Sequence, residues 1–363
     1  MKAKIKSSAA VTLYVTGLLR AFQSVKYGRN DAGDVVILMY HRVVDDLRNE
    51  LTHMQPGMMV SRDTFEAQLQ MLSGEYRVVP LSELVDSLLN GEKPKARTVA
   101  ITFDDGWLEN YTCAYPLLKK YGVPATIFLT TDYIGGRGTF WFHKIGLALS
   151  TRRLTDHEVR AVINAQCGLR EEQVPEFVNG TISNSDGVIA ADRLLESLKM
   201  LSGATLERIG DVLLDRLLER PSHADERWLL NWDEVRAMAG DLIEFGSHGC
   251  SHQIATILKP PEWEQELRNS RQIIAERAGK HVDLLAYPNG NFNEDVADRA
   301  KKAGYKAAVT TAYTVSGTAI DPMFALRRVG VHEGMSVDSR GRFSKPLFAF
   351  GISGWKDKLR GNL

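Results

Sequence analysis

Cysteine is scarce here: only Cys113, Cys167 and Cys250 occur in 363 residues. Their spacing pairs none of them, so they read as reduced or indifferent thiols and not as a disulfide framework. Surplus charge is missing as well. Forty-five basic residues balance 45 acidic ones, which argues against a polyanion partner and against nucleic acid. No internal repeat and no low-complexity linker interrupts the chain. A long hydrophobic run is absent too, since the apolar stretch from Ala9 to Leu19 is short for a membrane span. What remains is 44% hydrophobic and 25% charged, enough for one large core or for one domain with a helical appendage.

The amino terminus has two readings. Lys2, Lys4 and Lys6 before an apolar stretch resemble a secretory signal, yet Arg20 and Lys26 follow where a small-residue cleavage site would stand. Val11, Tyr14, Val15, Leu18, Leu19 and Phe22 recur at helical spacing, so residues 1–30 are read as an amphipathic helix. Such a helix packs on the domain or rests on a membrane surface as a peripheral contact. The expected location is therefore cytoplasmic, possible membrane association included, with export as the alternative.

Farther on, apolar runs alternate with helical patterns. Strands are expected at Val35–Tyr40, Val99–Phe103, Ala125–Thr131, Glu244–His248, Leu284–Pro288, Ala307–Thr311 and Leu326–Val331. Helices are expected at Arg62–Ser73, Ser82–Leu89, Tyr111–Tyr121, Trp232–Met238, Pro261–Ala278 and Asn293–Ala303. Strands separated by helices imply a parallel α/β sheet, and about seven of them suit a closed barrel. Residues 135–228 break the alternation with amphipathic helices at Asp156–Ala165, Ala191–Leu201 and Leu206–Leu218. They read as a helical insertion after the third strand, a lid or substrate wall. Tyr133, Phe140, Trp141 and Phe142 at its entry either stack on sugars or anchor the insertion. The expected organisation is an amphipathic segment 1–30, a barrel of 31–134 and 229–335, the insertion, and a basic tail of 336–363 with no assigned role.

Several strands empty into polar residues that carry chemistry. Val99-Ala100-Ile101 leads to Thr102-Phe103-Asp104-Asp105-Gly106, and Leu242-Ile243-Glu244-Phe245 leads to Ser247-His248-Gly249-Cys250-Ser251-His252. One carboxylate and two imidazoles make a three-ligand divalent-metal site with a position open to water or substrate. The other carboxylate is then placed to act as a base on that water. Each motif alone has an ordinary reading: adjacent aspartates cap helices, and a histidine pair is commonly surface or core. A third strand end, Leu284-Leu285-Ala286-Tyr287-Pro288-Asn289-Gly290, has the same design, and convergence at one end of a barrel becomes the better explanation.

Thr102-Phe103-Asp104-Asp105-Gly106 followed by His248-x-x-x-His252 resembles the NodB-homology polysaccharide deacetylases, the fourth carbohydrate esterase family, from about Val35 to Val331. The resemblance implies a distorted (β/α)7 barrel with its site at the carboxyl ends of the strands. It implies Asp104 as general base, with Asp105, His248 and His252 holding a divalent metal, zinc first. It further implies an oxyanion bound by the Tyr287 N–H, with Pro288 and Trp107 on the substrate side. Two family features are missing. The arginine of the third motif is replaced by Ala286, leaving Arg327 or Arg328 as candidates to orient the base. The late Leu-x-His reads Leu326-Arg327-Arg328. His41, at the exit of Val35–Tyr40, resembles the early Tyr-His element of a subgroup and is the candidate acid. Its ordinary reading is a strand-end histidine on a loop carbonyl. His332 is the runner-up, for which a structural role is favoured, and Cys250 is read as filler near the ligands.

The expected activity is removal of N-acetyl groups from an amino sugar of a polysaccharide or glycoconjugate, its identity open. Two rivals stand beside it: a hydrolase of another linear amide on the same barrel, and a carbohydrate-binding protein whose catalysis has decayed.

Overall fold

The computed structural model describes residues 10–19, 35–94, 97–136, 138–151, 153–168, 187–217, 226–311 and 322–353. Lys2, Lys4, Lys6, Arg20, Phe22, Lys26 and the end of the tail lie outside them. Contacts divide the chain into two compact units. One comprises Met1–Asp45, Gly57–Thr131 and Leu230–Leu363, and the other Asp46–Pro56 with Asp132–Leu229.

Among the described residues, eleven strands run through the first unit: β1 (Val35–Tyr40), β2 (Arg42–Val44), β3 (Met59–Ser61), β4 (Arg77–Val78), β5 (Thr98–Phe103), β6 (Ala125–Leu129), β7 (Ile243–Ser247), β8 (Leu284–Ala286), β9 (Ala307–Thr310), β10 (Leu326–Arg327) and β11 (Val329–Gly330). β2 and β3 form a small sheet of their own. The large sheet runs β10-β9-β8-β7-β6-β5-β1-β11, with β4 beside β5, and every pair in it is parallel. Its two ends are halves of one stretch. Leu326 and Arg327 pair with Val309 and Thr310 of β9, while Val329 and Gly330 pair with Leu38 and Met39 of β1. The sheet therefore returns on itself through Arg328, and the eight segments occupy seven strand positions, the expected (β/α)7 barrel.

Strand alternation fills the barrel. Ile37, Ala100, Phe128, Leu284, Ala286, Ala307 and Val309 pack into one buried cluster, joined by Leu81, Leu84 and Val85 of the helix Leu81–Leu89. Below them Glu244 accepts the Ser82 N–H at 3.0 Å and the Thr126 hydroxyl at 2.5 Å. Successive side chains on a strand point to opposite faces. Counting onward by twos from Ile37, Ala100, Phe128 and Gly246 reaches His41, Asp104, Thr130 and His248, each just past its strand.

The helices start and stop as their punctuation implies. Ser61 caps Arg62–Glu75 through its side chain, and Gly279 ends Pro260–Ala278 in the left-handed conformation. Tyr111–Tyr121, expected as one helix, opens with a π-helical turn over Asn110–Ala114 before Tyr115–Tyr121. The tail is more ordered than its sequence pattern implies. Lys345–Ile352 is a helix that buries Leu347, Phe348, Ala349, Phe350 and Ile352, a short stretch apolar enough to pack without periodicity. At the other end, residues 10–15 are helical, with Ala10 and Leu19 buried and Val11, Val15 and Leu18 exposed. Among the described residues, no helix is long and apolar enough to cross a membrane.

The second unit is helical: Trp141–Ser150, Asp156–Cys167, Gly187–Leu198 and Gly203–Asp215. Phe140, Trp141 and Phe142 are buried inside it, and Tyr133 stacks near Phe140 and donates its hydroxyl to Glu207 at 2.6 Å. These aromatics are packing residues of the unit, not exposed sugar platforms. The segment Asp46–Pro56, counted with the barrel on sequence alone, belongs here through His53. Its Nδ1 lies 3.1 Å from His143 Nε2, and its backbone passes so close to Gly146 that any Cβ there would meet the His53 carbonyl.

Candidate functional site

Asp104 stands at the exit of β5, where its N–H donates to the Tyr40 carbonyl at 3.0 Å. It is buried. Arg328, buried at the barrel's closing point, grips both its oxygens: Nη1 to Oδ1 and Nη2 to Oδ2, each 2.6 Å. Nη1 also donates to Thr102 Oγ1 at 3.1 Å, and the guanidinium lies over the Phe128 ring, 5.6 Å from its centroid. Burial pushes the Asp104 pKa up, but the Arg328 charge, the neighbouring imidazoles and the Arg328 hydrogen bonds outweigh it. The net shift is downward, so Asp104 is ionised at neutral pH. Arg328 thus occupies the orienting place for which the sequence offered Arg327 or Arg328.

Asp105 would face away from Asp104 on a regular strand. Its φ of 77°, left-handed and uncommon for a residue with a side chain, turns it back toward the histidines. Trp107 fixes it there, donating its indole N–H to Asp105 Oδ2 at 2.8 Å. Oδ1 is buried without a hydrogen-bond partner among the described residues, although His252 Nε2 and His248 Nε2 lie 3.2 and 3.5 Å away. The three candidate ligand atoms sit within 4.8 Å of one another. His248 Nδ1 lies 2.8 Å from the Ala286 carbonyl. That contact assigns a proton to Nδ1 and leaves Nε2 as the candidate ligand atom facing Asp105, with the carbonyl orienting the ring as is typical of a metal-binding histidine. Burial pushes the Asp105 pKa up, but the two imidazoles hold it well below the usual carboxylate range. A buried carboxylate oxygen with no hydrogen-bond donor among the described residues, faced by two imidazole nitrogens, fits a divalent cation, with His252 the member nearest solvent.

His41 follows β1, whose register sets Tyr40 beside Phe103 and hence His41 beside Asp104. Its Nδ1 is buried with no hydrogen-bond partner among the described residues. Burial lowers its pKa, and the Asp105 and Asp104 charges only partly restore it. His332 begins the helix Glu333–Ser336, its ring against Gly334. Cys250 is buried and directs its thiol to the Glu266 carbonyl at 3.6 Å, consistent with filler.

The oxyanion and substrate assignments need correction. The Tyr287 N–H is donated to the Val309 carbonyl at 3.2 Å, so sheet pairing has already spent it, and the Tyr287 hydroxyl donates to the Phe324 carbonyl. Pro288 is buried beneath the histidine loop, near Gly249. Trp107 is fully buried with the Arg42 guanidinium 4.9 Å over its ring, and it supports Asp105 from behind. Arg42, paired with Glu109, escaped the sequence reading although it adjoins His41. Thr130 escaped it too; its hydroxyl is buried without a partner among the described residues, and only the strand register marks it as inward.

A family model described as polysaccharide deacetylase matches residues 91–164 and 208–308. The chain belongs to that family. Its members are hydrolases of carbon–nitrogen bonds. YxkH of Bacillus subtilis (strain 168) is 25% identical over 312 residues, 86% of this chain and 76% of that protein. The poly-β-1,6-N-acetyl-D-glucosamine N-deacetylase of Staphylococcus epidermidis is 34% identical over 142 residues, 37% of this chain and 46% of that enzyme. The chain thus matches less than half of that relative's length. The Streptococcus pyogenes deacetylase PplD, solved with acetate, shares the fold at 19% identity and a TM-score of 0.53, over 83% of this chain and 94% of that one. The matched family segments carry Asp104, Asp105, His248 and His252, while His41 and Arg328 lie outside them.

Proposed function

We propose that this polysaccharide deacetylase is metal-dependent and removes N-acetyl groups from a polymer of N-acetylated amino sugar, with β-1,6-linked N-acetylglucosamine the first substrate to try. The observation that carries the reading is the Asp105–His248–His252 cluster, its first two members buried, beside an ionised Asp104 held by Arg328. A divalent cation there, zinc in first place, supplies Lewis-acid polarisation of the amide carbonyl and a more acidic water. Arg328 leaves each Asp104 oxygen a further lone pair, and Asp104 accepts the proton of the attacking water. His41 delivers a proton to the departing amine. Its lowered pKa makes its imidazolium a stronger acid than free histidine while reducing the fraction protonated at neutral pH. The decayed-module rival rested on a missing arginine and a missing late histidine; Arg328, between β10 and β11, stands in the arginine's place, and His41 is the candidate for the histidine's.

The test is acetate release from poly-β-1,6-N-acetylglucosamine, chitooligosaccharide and a panel of simple acetylated amides, with metal content measured on the same samples. Asp104→Asn should retain metal and lose turnover by ~10²–10⁴-fold. Glycan binding without acetate release by the metal-loaded parent would sink the proposal.

A further inference from the structure

The loop joining the two histidines is wound around a carboxylate from another element. Glu266, on the helix Pro260–Ala278, accepts at Oε2 the backbone N–H groups of Cys250 (2.5 Å) and Ser251 (3.0 Å). Its Oε1 accepts the Ser251 hydroxyl at 2.7 Å. Consecutive N–H groups converging on one oxygen form the concave cradle that backbone makes for an anion. The loop is left-handed at both sides of that cradle, at Gly249 (φ 76°) and His252 (φ 60°). The helix is bound to the loop's root as well. Gly249 N–H donates to Ser247 Oγ, which lies 2.7 Å from Ser270 Oγ, and Ser270 donates to the Glu266 carbonyl.

The two histidines are held differently. His248 is anchored through its own ring by the Ala286 carbonyl. His252 follows the Glu266-bound pair in sequence and has a left-handed φ that a non-glycine residue keeps only where its surroundings enforce it. We infer that Glu266 is the positioning residue of the metal centre, clamping Cys250 and Ser251 so that His252 is presented to Asp105 before any cation arrives. The inference rests on the metal-centre reading above. When the clamp is lost, His252 relaxes toward negative φ and swings from Asp105, while His248 stays. Outer groups that orient metal ligands characteristically change affinity by about 10–100-fold.

Reach and charge separate in two conservative variants of the full chain. Glu266→Gln loses the charge and keeps the reach: its amide oxygen takes the two backbone N–H groups, and its NH2 donates to Ser251 Oγ, which turns to accept. Glu266→Asp keeps the charge but withdraws the carboxylate by one methylene. Co2+ is titrated against a chromophoric chelator, with its visible absorption bands recorded as a report on coordination. The expected result is affinity within about threefold of the parent for Glu266→Gln. For Glu266→Asp it is a 10–100-fold loss, altered bands, and turnover restored by excess metal. Parent-like affinity in Glu266→Asp, a loss in Glu266→Gln as large as in Glu266→Asp, or turnover that excess metal does not restore would overturn the inference. A parent that binds no Co2+ would instead overturn the metal-centre reading itself.

Discussion

Arg328 decides how Asp104 behaves, because a buried carboxylate left without its cation is both costly and prone to protonation. Arg328→Lys keeps a charge but loses the two-pronged grip. Asp104 acts as base only when ionised, and its pKa is held down against burial, so a weaker grip lets that pKa rise. The acid limb of the kcat/KM profile should therefore move to higher pH, and an unmoved limb would show that Arg328 does not keep Asp104 ionised. His41 makes a different demand. An amine must be protonated to leave, whereas the leaving group of an activated acetate ester need not be. His41→Ala should depress amide turnover strongly and ester turnover little, with His332→Ala affecting neither. Equal losses on both substrates would make His41 a structural or binding residue. Cys250→Ser should leave metal content unchanged, since its thiol faces the Glu266 carbonyl; lost metal would make it a ligand after all.

Strand order and register are what bring these residues together. The inward set advances by twos along each strand, so the barrel interior passes from Glu244 and Thr126 through Ile37, Ala100 and Phe128 to the layer of His41, Asp104, Thr130 and His248. Gly246 is small because of Phe128. A Cβ at Gly246 would stand 2.5 Å from the Phe128 ring and 3.0 Å from the Leu284 carbonyl, and Phe128 in turn lies under Arg328. Gly246→Ala should cost about 1–3 kcal/mol of stability, as overpacked cores do, read as a lower urea midpoint. Trimming the ring in the double variant with Phe128→Leu should return part of the loss. An unchanged midpoint in the single variant would mean that β6 and β7 separate more easily than their five paired positions suggest.

On the proposed metal-centre reading, metal binding and folding are linked in the molecule as a whole, because the candidate ligands arrive from two distant stretches and no such site exists in the unfolded chain. A cation that binds only the folded form stabilises it by RT ln(1 + [L]/Kd), about 2.7 kcal/mol at 100 times Kd. Thermal unfolding of the chelator-treated chain should therefore shift upward as Zn2+ is added, continuing to climb with the logarithm of its concentration. In His248→Ala the shift should vanish. A parent insensitive to Zn2+ would exclude tight binding at Asp105, His248 and His252.

Local pattern was enough for much of this. Apolar runs of strand length, helix caps and the residues just past strand ends depend on nearest neighbours in the chain, and they marked seven strand positions together with Asp104, Asp105, His248, His252 and His41. The side-chain period of two is a local property as well, which is why inward placement could be anticipated at those exits. Partners chosen across the barrel were not legible. Arg328 reaches Asp104 from 224 positions away because the last strand is shared between β9 and β1, a fact of closure and not of composition. The Tyr287 N–H looked available until register gave it to Val309, and Trp107, put on the substrate side by the family resemblance, is buried against Asp105 instead. Glu266 reads in sequence as one more polar helix residue. Only tertiary packing makes it the carboxylate around which the histidine loop is wound, since hydrogen-bond partners that far apart are selected by shape and distance in the folded barrel.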